Sequence, residues 1–104
     1  MAELRWTQQA EADLDAIVRY IALDNLDAAL WLDNQILQAA EGLAIQPLMG
    51  KPGRVPFTRE LTPHKHYIIV YTADNEVVEI QTILHTSQEW PPIKKEDEDL
   101  LDAE

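Results

Sequence analysis

The chain has 104 residues, 46% of them hydrophobic, which is enough for one domain with one core. Its 19 acidic residues against eight basic ones give a formal net charge of −11, which disfavours direct binding of nucleic acid because that affinity rests on lysine and arginine neutralising phosphates. Cysteine is absent, which excludes disulfides and thiolate metal sites and fits a cytoplasmic protein.

The first half of the chain predicts a short strand followed by two helices. Ala2–Trp6 is the strand, after which Thr7 offers a side-chain oxygen that caps a helix. Apolar residues recur at helical spacing from Gln8 to Leu23 and again from about Leu26 to Leu43. The polar pair at 24–25 ends the first helix and caps the second. Because so few residues join the two helices, they should form an antiparallel hairpin.

The second half predicts three extended segments, Val55–Leu61, His66–Thr72 and Glu76–Thr86. Alternation in the last segment separates two faces. The face expected to meet the helices holds Val78, Ile80, Thr82 and Leu84, and the open face holds Val77, Glu79, Gln81, Ile83 and His85. The predicted fold class is therefore α+β, with an N-terminal helical hairpin packed on one face of a small antiparallel sheet.

The end of the chain differs in composition from the rest. Residues 93–104 hold two lysines against six acidic residues. We interpret residues 1–92 as a single domain and residues 93–104 as a mobile acidic tail. The start of the chain lacks the basic and apolar pattern of a signal peptide. No apolar run approaches the ~20 residues that cross a bilayer, so no membrane partner is expected.

Positive charge and imidazoles are concentrated on the predicted sheet. Four of the eight basic residues lie between Lys51 and Lys65, and all three histidines lie between His64 and His85. His85 could serve as a general acid or base, because the ordinary pKa of histidine is near ~6.5, or it could simply hydrogen-bond a strand end. His64 and His66 have the spacing of two metal ligands on a strand, but a third ligand is not indicated. No metal and no cofactor are predicted.

Two arginines and one tryptophan are further candidates for binding a partner. Arg54 and Arg59 could grip acidic groups or a phosphate through their planar forks, or they could pair with carboxylates inside the monomer. Alternation places Arg59 toward the core, unless a bulge re-aims it. Trp90 either covers the end of the sheet or anchors a partner. Trp31 is interpreted as a structural residue.

An ordered set of short motifs runs through most of the chain, from about Leu4 to Pro91. The set is Trp6 before Ala10, Leu14 and Ile17; Tyr20-Ile21; Asn25–Ala29; Pro47 before Gly53-Arg54; Thr58-Arg59-Glu60-Leu61; Tyr67–Tyr71; Val78–His85; and Trp90-Pro91. In this order it resembles the RelE/ParE superfamily of bacterial toxins, and the ParE branch in particular. The resemblance implies the same small α+β toxin domain that the segments predict.

The resemblance implies one of two activities. RelE-like members are ribosome-dependent mRNA endonucleases that use no metal and rely on basic residues with a histidine or tyrosine. Their pattern has an arginine where this chain has Ile68, and an aromatic or basic residue where it has Thr86. Isoleucine cannot stabilise developing phosphate charge. If the chain is nevertheless a nuclease, His85, Arg59 and Arg54 are its catalytic candidates.

ParE-like members bind DNA gyrase, inhibit growth, and are neutralised by a ParD-like antitoxin with a ribbon-helix-helix N-terminus. We therefore predict a gyrase-inhibiting toxin that is not an enzyme, with Arg54, Arg59, His85 and Trp90 as its partner-binding residues. The basic residue that this family commonly carries between His85 and Trp90 is missing. A non-toxic chain that only binds its antitoxin is the remaining alternative.

Overall fold

Two helices pack on one face of a five-stranded sheet in the computed structural model, which describes residues 1–88 and 90–91. The elements are β1 Glu3–Trp6, α1 Gln8–Ala22, α2 Leu26–Ile45, β2 Lys51–Pro52, β3 Arg59–His64, β4 Tyr67–Ala73 and β5 Val77–His85. The predicted α+β class is confirmed. In this described part neither helix is both long and apolar enough to cross a membrane. The acidic tail predicted at 93–104 lies outside the described residues.

Side-chain caps fix the starts of both helices, as predicted. Thr7 Oγ1 accepts a hydrogen bond from the Ala10 N–H at 3.0 Å, and Asn25 Oδ1 accepts one from the Ala28 N–H at 3.0 Å. Each cap satisfies a main-chain donor that the first helical turn leaves free. The second helix continues to Ile45, slightly beyond its predicted end.

The sheet is mixed, whereas the sequence predicted it to be antiparallel. Its strand order is β1-β5-β4-β3-β2. The β1 strand runs parallel to β5, with Glu3 opposite Val77 and Trp6 opposite Ile80, and the other pairs are antiparallel. A tight hairpin would force antiparallel pairing, but both helices and three strands separate β1 from β5 along the chain. Nothing local therefore fixes the direction of β1.

Residues 55–58 form a loop, although the sequence placed them at the start of a strand. The Thr58 N–H donates to the Val55 carbonyl at 3.2 Å and closes a turn. Phe57 has a φ of 69°, which is left-handed backbone. Pro56 lacks the N–H that a strand ladder needs. The strand prediction is therefore right only from Arg59 onward.

A β-bulge interrupts the pairing of β4 with β5. Val70 pairs with Thr82, but the next residue of β4, Tyr71, pairs with Ile80, so Gln81 is an extra residue in β5. A bulge of this kind shifts the alternation of side chains beyond it. The sequence prediction assumed uninterrupted alternation.

The bulge reverses the predicted faces at the end of β5. Before it, Val78 faces the helices as predicted. Beyond it, Ile83 joins the core under the helices and Leu84 packs on the opposite face, both contrary to prediction. His85 lies opposite Tyr67, which packs against the helix-facing core. His85 therefore lies on the helix side at the end of the sheet, and its predicted place on the open face is wrong.

Candidate functional site

Arg54 is paired inside the monomer with the carboxylate of Glu60. Its main-chain N–H donates to Oε2 at 3.0 Å and its guanidinium Nη2 donates to Oε1 at 3.2 Å. The Glu60 side chain is 2% exposed and that of Arg54 is 47% exposed. Glu60 lies opposite Val70, on the sheet face away from the helices. Of the two readings of Arg54, internal pairing is the one found, while part of its side chain still faces solvent.

Arg59 holds the loop between α2 and β2 through main-chain carbonyl groups. Its Nε and Nη2 donate to the Gly50 carbonyl at 3.1 and 2.6 Å, and Nη2 also lies 3.2 Å from the Leu48 carbonyl. Arg59 pairs with Tyr71, on the helix side of the sheet, so alternation placed it correctly. Neighbouring residues of a strand point to opposite faces. Arg59 therefore lies on the helix side of the sheet, whereas Glu60 binds Arg54 on the other side.

A histidine cluster occupies the other end of the sheet and comprises Trp31, His64, His66, Tyr67 and His85. The His66 and His85 rings stack with centroids 5.6 Å apart and planes 5° from parallel. The Tyr67 ring meets His85 edge-on at 5.4 Å, and the Trp31 ring meets His64 edge-on at 5.9 Å. His64 and His66 are 5.5 Å apart. All three histidines of the chain are therefore in one place.

Hydrogen bonds fix how the rings of this cluster can act. The Ser87 N–H donates to Nδ1 of His85 at 3.1 Å, so neutral His85 carries its proton on Nε2. The pKa of His66 is lowered, first by desolvation and then by the charges of Lys65, His64 and His85. A lowered pKa keeps His66 neutral and able to accept a proton near neutral pH. Among the residues described, no three His, Cys, Asp or Glu side chains are placed to hold a metal ion.

The three candidates for a nuclease centre are not brought together. Arg59 lies opposite Tyr71 and His85 lies opposite Tyr67, four residues apart along β4. At the rise of a β-strand this separation is about 13 Å. The Arg59 guanidinium is directed at the Gly50 and Leu48 carbonyls, and the Arg54 guanidinium binds Glu60 on the other face of the sheet. In this arrangement the two arginines and His85 do not converge on one point.

Trp90 covers the sheet face that points away from the helices. It packs against Ile68, Val70 and Leu84, which form a small apolar cluster there. Its indole Nε1 is buried and has no hydrogen-bond partner among residues 1–88 and 90–91. Of the two readings of Trp90, the covering role is the one found.

A groove of about 400 Å³ lies between α1 and α2 and is also lined by Trp6 of β1. Its apolar lining is Trp6, Leu14, Val18 and Leu37, and its acidic lining is Glu11, Asp15 and Asp33. This combination can take the apolar face of a helix or an extended segment that carries basic side chains at its margins. None of these acidic residues was singled out from the sequence as part of a groove.

The family model described as "ParE toxin of type II toxin-antitoxin system, parDE" matches residues 4–90. The chain belongs to the ParE toxin family. The Y4kP protein of Sinorhizobium fredii (strain NBRC 101917 / NGR234) is 42% identical over 91 residues, covering 86% of this chain and 94% of that protein.

Solved structures from toxin–antitoxin systems share the fold of this chain. The chromosomal ParDE toxin–antitoxin system of P. aeruginosa matches with a TM-score of 0.73 and 27% identity, over 82% of this chain and 96% of that one. The RelBE2 toxin–antitoxin complex of Mycobacterium tuberculosis matches with a TM-score of 0.58 and 26% identity, over 81% and 96%. The resemblance stated from the motifs is confirmed.

Within this ParE-family fold, the sequence missed one aromatic residue of the histidine cluster. Trp31 was interpreted as structural, but its side chain is 55% exposed. A signal was available, because Trp31 directly precedes the buried Leu32 in α2 and successive helical residues are rotated by about 100°. The joint placement of His64, His66 and His85 had no such signal, since it depends on strand register.

Proposed function

We propose that this ParE-family toxin acts by binding DNA gyrase and inhibiting it, without catalysing a reaction of its own. The observation that carries the proposal is the separation of the candidate catalytic groups, with both arginines engaged inside the monomer. Recognition of a protein surface needs no nucleophile and base in contact, whereas RNA cleavage needs groups that act on one phosphate.

The composition of the outer sheet face supports a protein target. In the nuclease branch the position of Ile68 holds an arginine, but here Ile68 is 7% exposed and packs with Val70, Leu84 and Trp90. At this position an apolar, covered side chain offers no counter-charge to a phosphate chain. The formal charge of −11 adds repulsion.

The antitoxin partner is proposed to be ParD-like, with a ribbon-helix-helix N-terminus. A helix of the antitoxin would lie in the groove between α1 and α2, and an extended segment would add to a free strand edge. The sequence prediction that Arg54 and Arg59 bind acidic groups of the antitoxin stays a prediction. Arg54 is the better candidate of the two, because two nitrogens of the Arg59 guanidinium already hold main-chain carbonyls.

The test is inhibition of DNA supercoiling by purified gyrase. The toxin should inhibit at micromolar concentration and lose this effect when the antitoxin is added. Unimpaired supercoiling at the same concentration contradicts the proposal. Induced expression without growth arrest would favour the alternative in which the chain only binds its antitoxin.

A second candidate function, ribosome-dependent mRNA cleavage, is favoured by the histidine cluster alone. His85 stacks on His66 and contacts Tyr67, so three groups able to move protons lie together. Primer extension on translating ribosomes tests this candidate. Message that remains uncut at high protein excess eliminates it, and cutting that the His85→Gln variant abolishes would replace the gyrase proposal.

A further inference from the structure

Phe57 exposes its ring to solvent from a strained position of the backbone. Its side chain is 97% exposed, and its φ is 69°. A bulky residue rarely takes this left-handed conformation, because its Cβ is crowded there. Two unfavourable features, an exposed phenyl ring and a strained backbone, therefore coincide at one residue.

The loop around Phe57 is held firmly, so the strain is imposed by its surroundings. The Gly53 N–H donates to the Thr58 carbonyl at 2.8 Å, and the Thr58 hydroxyl donates to the Val55 carbonyl at 2.7 Å. A Cβ at Gly53 would overlap the Thr58 side chain, so only glycine lets the two sides of the loop close. The Arg54 pair with Glu60 ties the same loop to β3.

The fold itself does not need a phenylalanine at this position. Among residues 1–88 and 90–91, the ring belongs to neither hydrophobic cluster. Glycine or asparagine would adopt the left-handed conformation at lower cost and would not expose an apolar ring. Strained residues that persist despite such cheaper choices concentrate at functional sites. The role of the ring is therefore sought outside the monomer.

Two basic residues of this acidic chain lie close to Phe57 in sequence. Lys51 and Arg54 are both exposed, and both lie beside Glu60, because Lys51 pairs with Glu60 across the strands and Arg54 binds its carboxylate. The loop joins β2 to β3, at the opposite edge of the sheet from β1 and Trp6. It is thus separate from the groove between the helices, which Trp6 lines.

We propose that Phe57 is the anchor through which this toxin binds its protein target, inserting its ring into an apolar pocket with an acidic rim that Lys51 and Arg54 face. The inference rests on the proposed function in one respect, that the toxin acts by binding a protein. Single buried aromatic residues commonly carry a large share of interface energy. A preformed loop also reduces the entropy lost on binding.

The experiment compares Phe57→Gly with the wild type in two assays, gyrase supercoiling and growth arrest on induction. The matched control is Tyr20→Ala, which removes an exposed aromatic residue from α1 (77% exposed). Phe57→Gly should unfold at an equal or higher denaturant concentration, because it relieves the strained φ. It should nevertheless weaken inhibition by about tenfold or more and abolish growth arrest, while Tyr20→Ala behaves like the wild type.

Charge provides an independent arm of the same experiment. Lys51→Glu should weaken inhibition more than Lys51→Gln, because only glutamate repels an acidic rim. If Lys51→Glu and Lys51→Gln weaken inhibition equally, or if neither weakens it, the target pocket has no acidic rim beside Lys51. If the wild type is a dimer and the Phe57→Gly variant is a monomer, the ring binds a second copy of this chain, and this result overturns the proposal.

The outcomes separate this inference from the gyrase proposal. If the wild type inhibits gyrase and Phe57→Gly inhibits equally, the anchor is wrong and the gyrase proposal stands. If the wild type arrests growth without inhibiting gyrase, and Phe57→Gly does not arrest growth, the gyrase proposal fails and the anchor stands for another protein. A wild type that does not arrest growth overturns both.

Discussion

Arg54 satisfies both carboxylate oxygens of Glu60, one through its main-chain N–H and the other through its guanidinium. Glu60 is almost completely buried, so removal of this partner would leave a buried carboxylate with fewer hydrogen bonds. The contact joins the loop that carries Phe57 to the strand that follows it. Arg54 thus has a structural role in addition to any contact with a partner protein.

Arg54→Ala should lower the free energy of unfolding by about 1–3 kcal/mol, because it leaves a buried carboxylate with one donor fewer. The half-exposed guanidinium keeps the loss below that of a fully buried pair. Urea unfolding measures the change. The control is Arg19→Ala, which breaks an exposed pair with Asp15 and should cost below about 1 kcal/mol. Equal losses in the two variants would contradict the structural role of Arg54.

Tyr71→Phe should destabilise the fold by about 1–3 kcal/mol, since it leaves the buried Gly50 N–H and the partly buried Pro47 carbonyl without their hydrogen-bond partner. The fully buried Tyr71 hydroxyl accepts from the Gly50 N–H at 2.9 Å and donates to the Pro47 carbonyl at 2.8 Å. Denaturant unfolding gives the difference. Tyr20→Phe removes an exposed hydroxyl and should be neutral, so a loss of similar size there would refute the account.

The helices were predictable because their signals are local. Thr7 and Asn25 each cap a helix through a donor three residues later, so the sequence alone contains both partners of the bond. The core faces followed from helical spacing for the same reason. The family resemblance also implied an α+β toxin domain, and the structure has this fold.

The arrangement of the site depends on register across strands, which sequence spacing does not determine. The extra residue Gln81 moved Ile83 and His85 to the helix side. Its main-chain carbonyl accepts a hydrogen bond from the Thr7 hydroxyl at 2.9 Å, so the bulge contacts a residue that is distant in sequence. By contrast, the start of β3 could have been predicted, because Pro56 has no N–H to donate to a neighbouring strand.

The stability of the protein should fall as pH drops through about 6.5, the ordinary pKa of histidine. The pKa of His66 is lowered in the folded state, by desolvation first and then by Lys65, His64 and His85. The unfolded chain therefore takes up a proton at a pH where folded His66 does not, and protonation favours unfolding. Thermal unfolding at about pH 7.5 and about pH 5.5 measures this difference.

His66→Gln should reduce the pH dependence, because glutamine does not titrate. Lys65→Gln should raise the pKa of His66 toward its ordinary value, since it removes a neighbouring positive charge. Histidine ring signals in NMR titrations report this directly. A pH dependence that is unchanged in His66→Gln would assign it to other groups.

Leu37→Glu should weaken antitoxin binding by about tenfold or more, because it places a charge on the apolar floor of the groove beside Asp33. Leu37 is 38% exposed, so the fold should tolerate the change. Calorimetric titration with the purified cognate antitoxin measures the affinity. The control is Leu23→Glu, which introduces the same charge at an 87% exposed position outside that groove and should leave the affinity near that of the wild type. Equal affinities of the two variants would place the antitoxin helix elsewhere on the toxin.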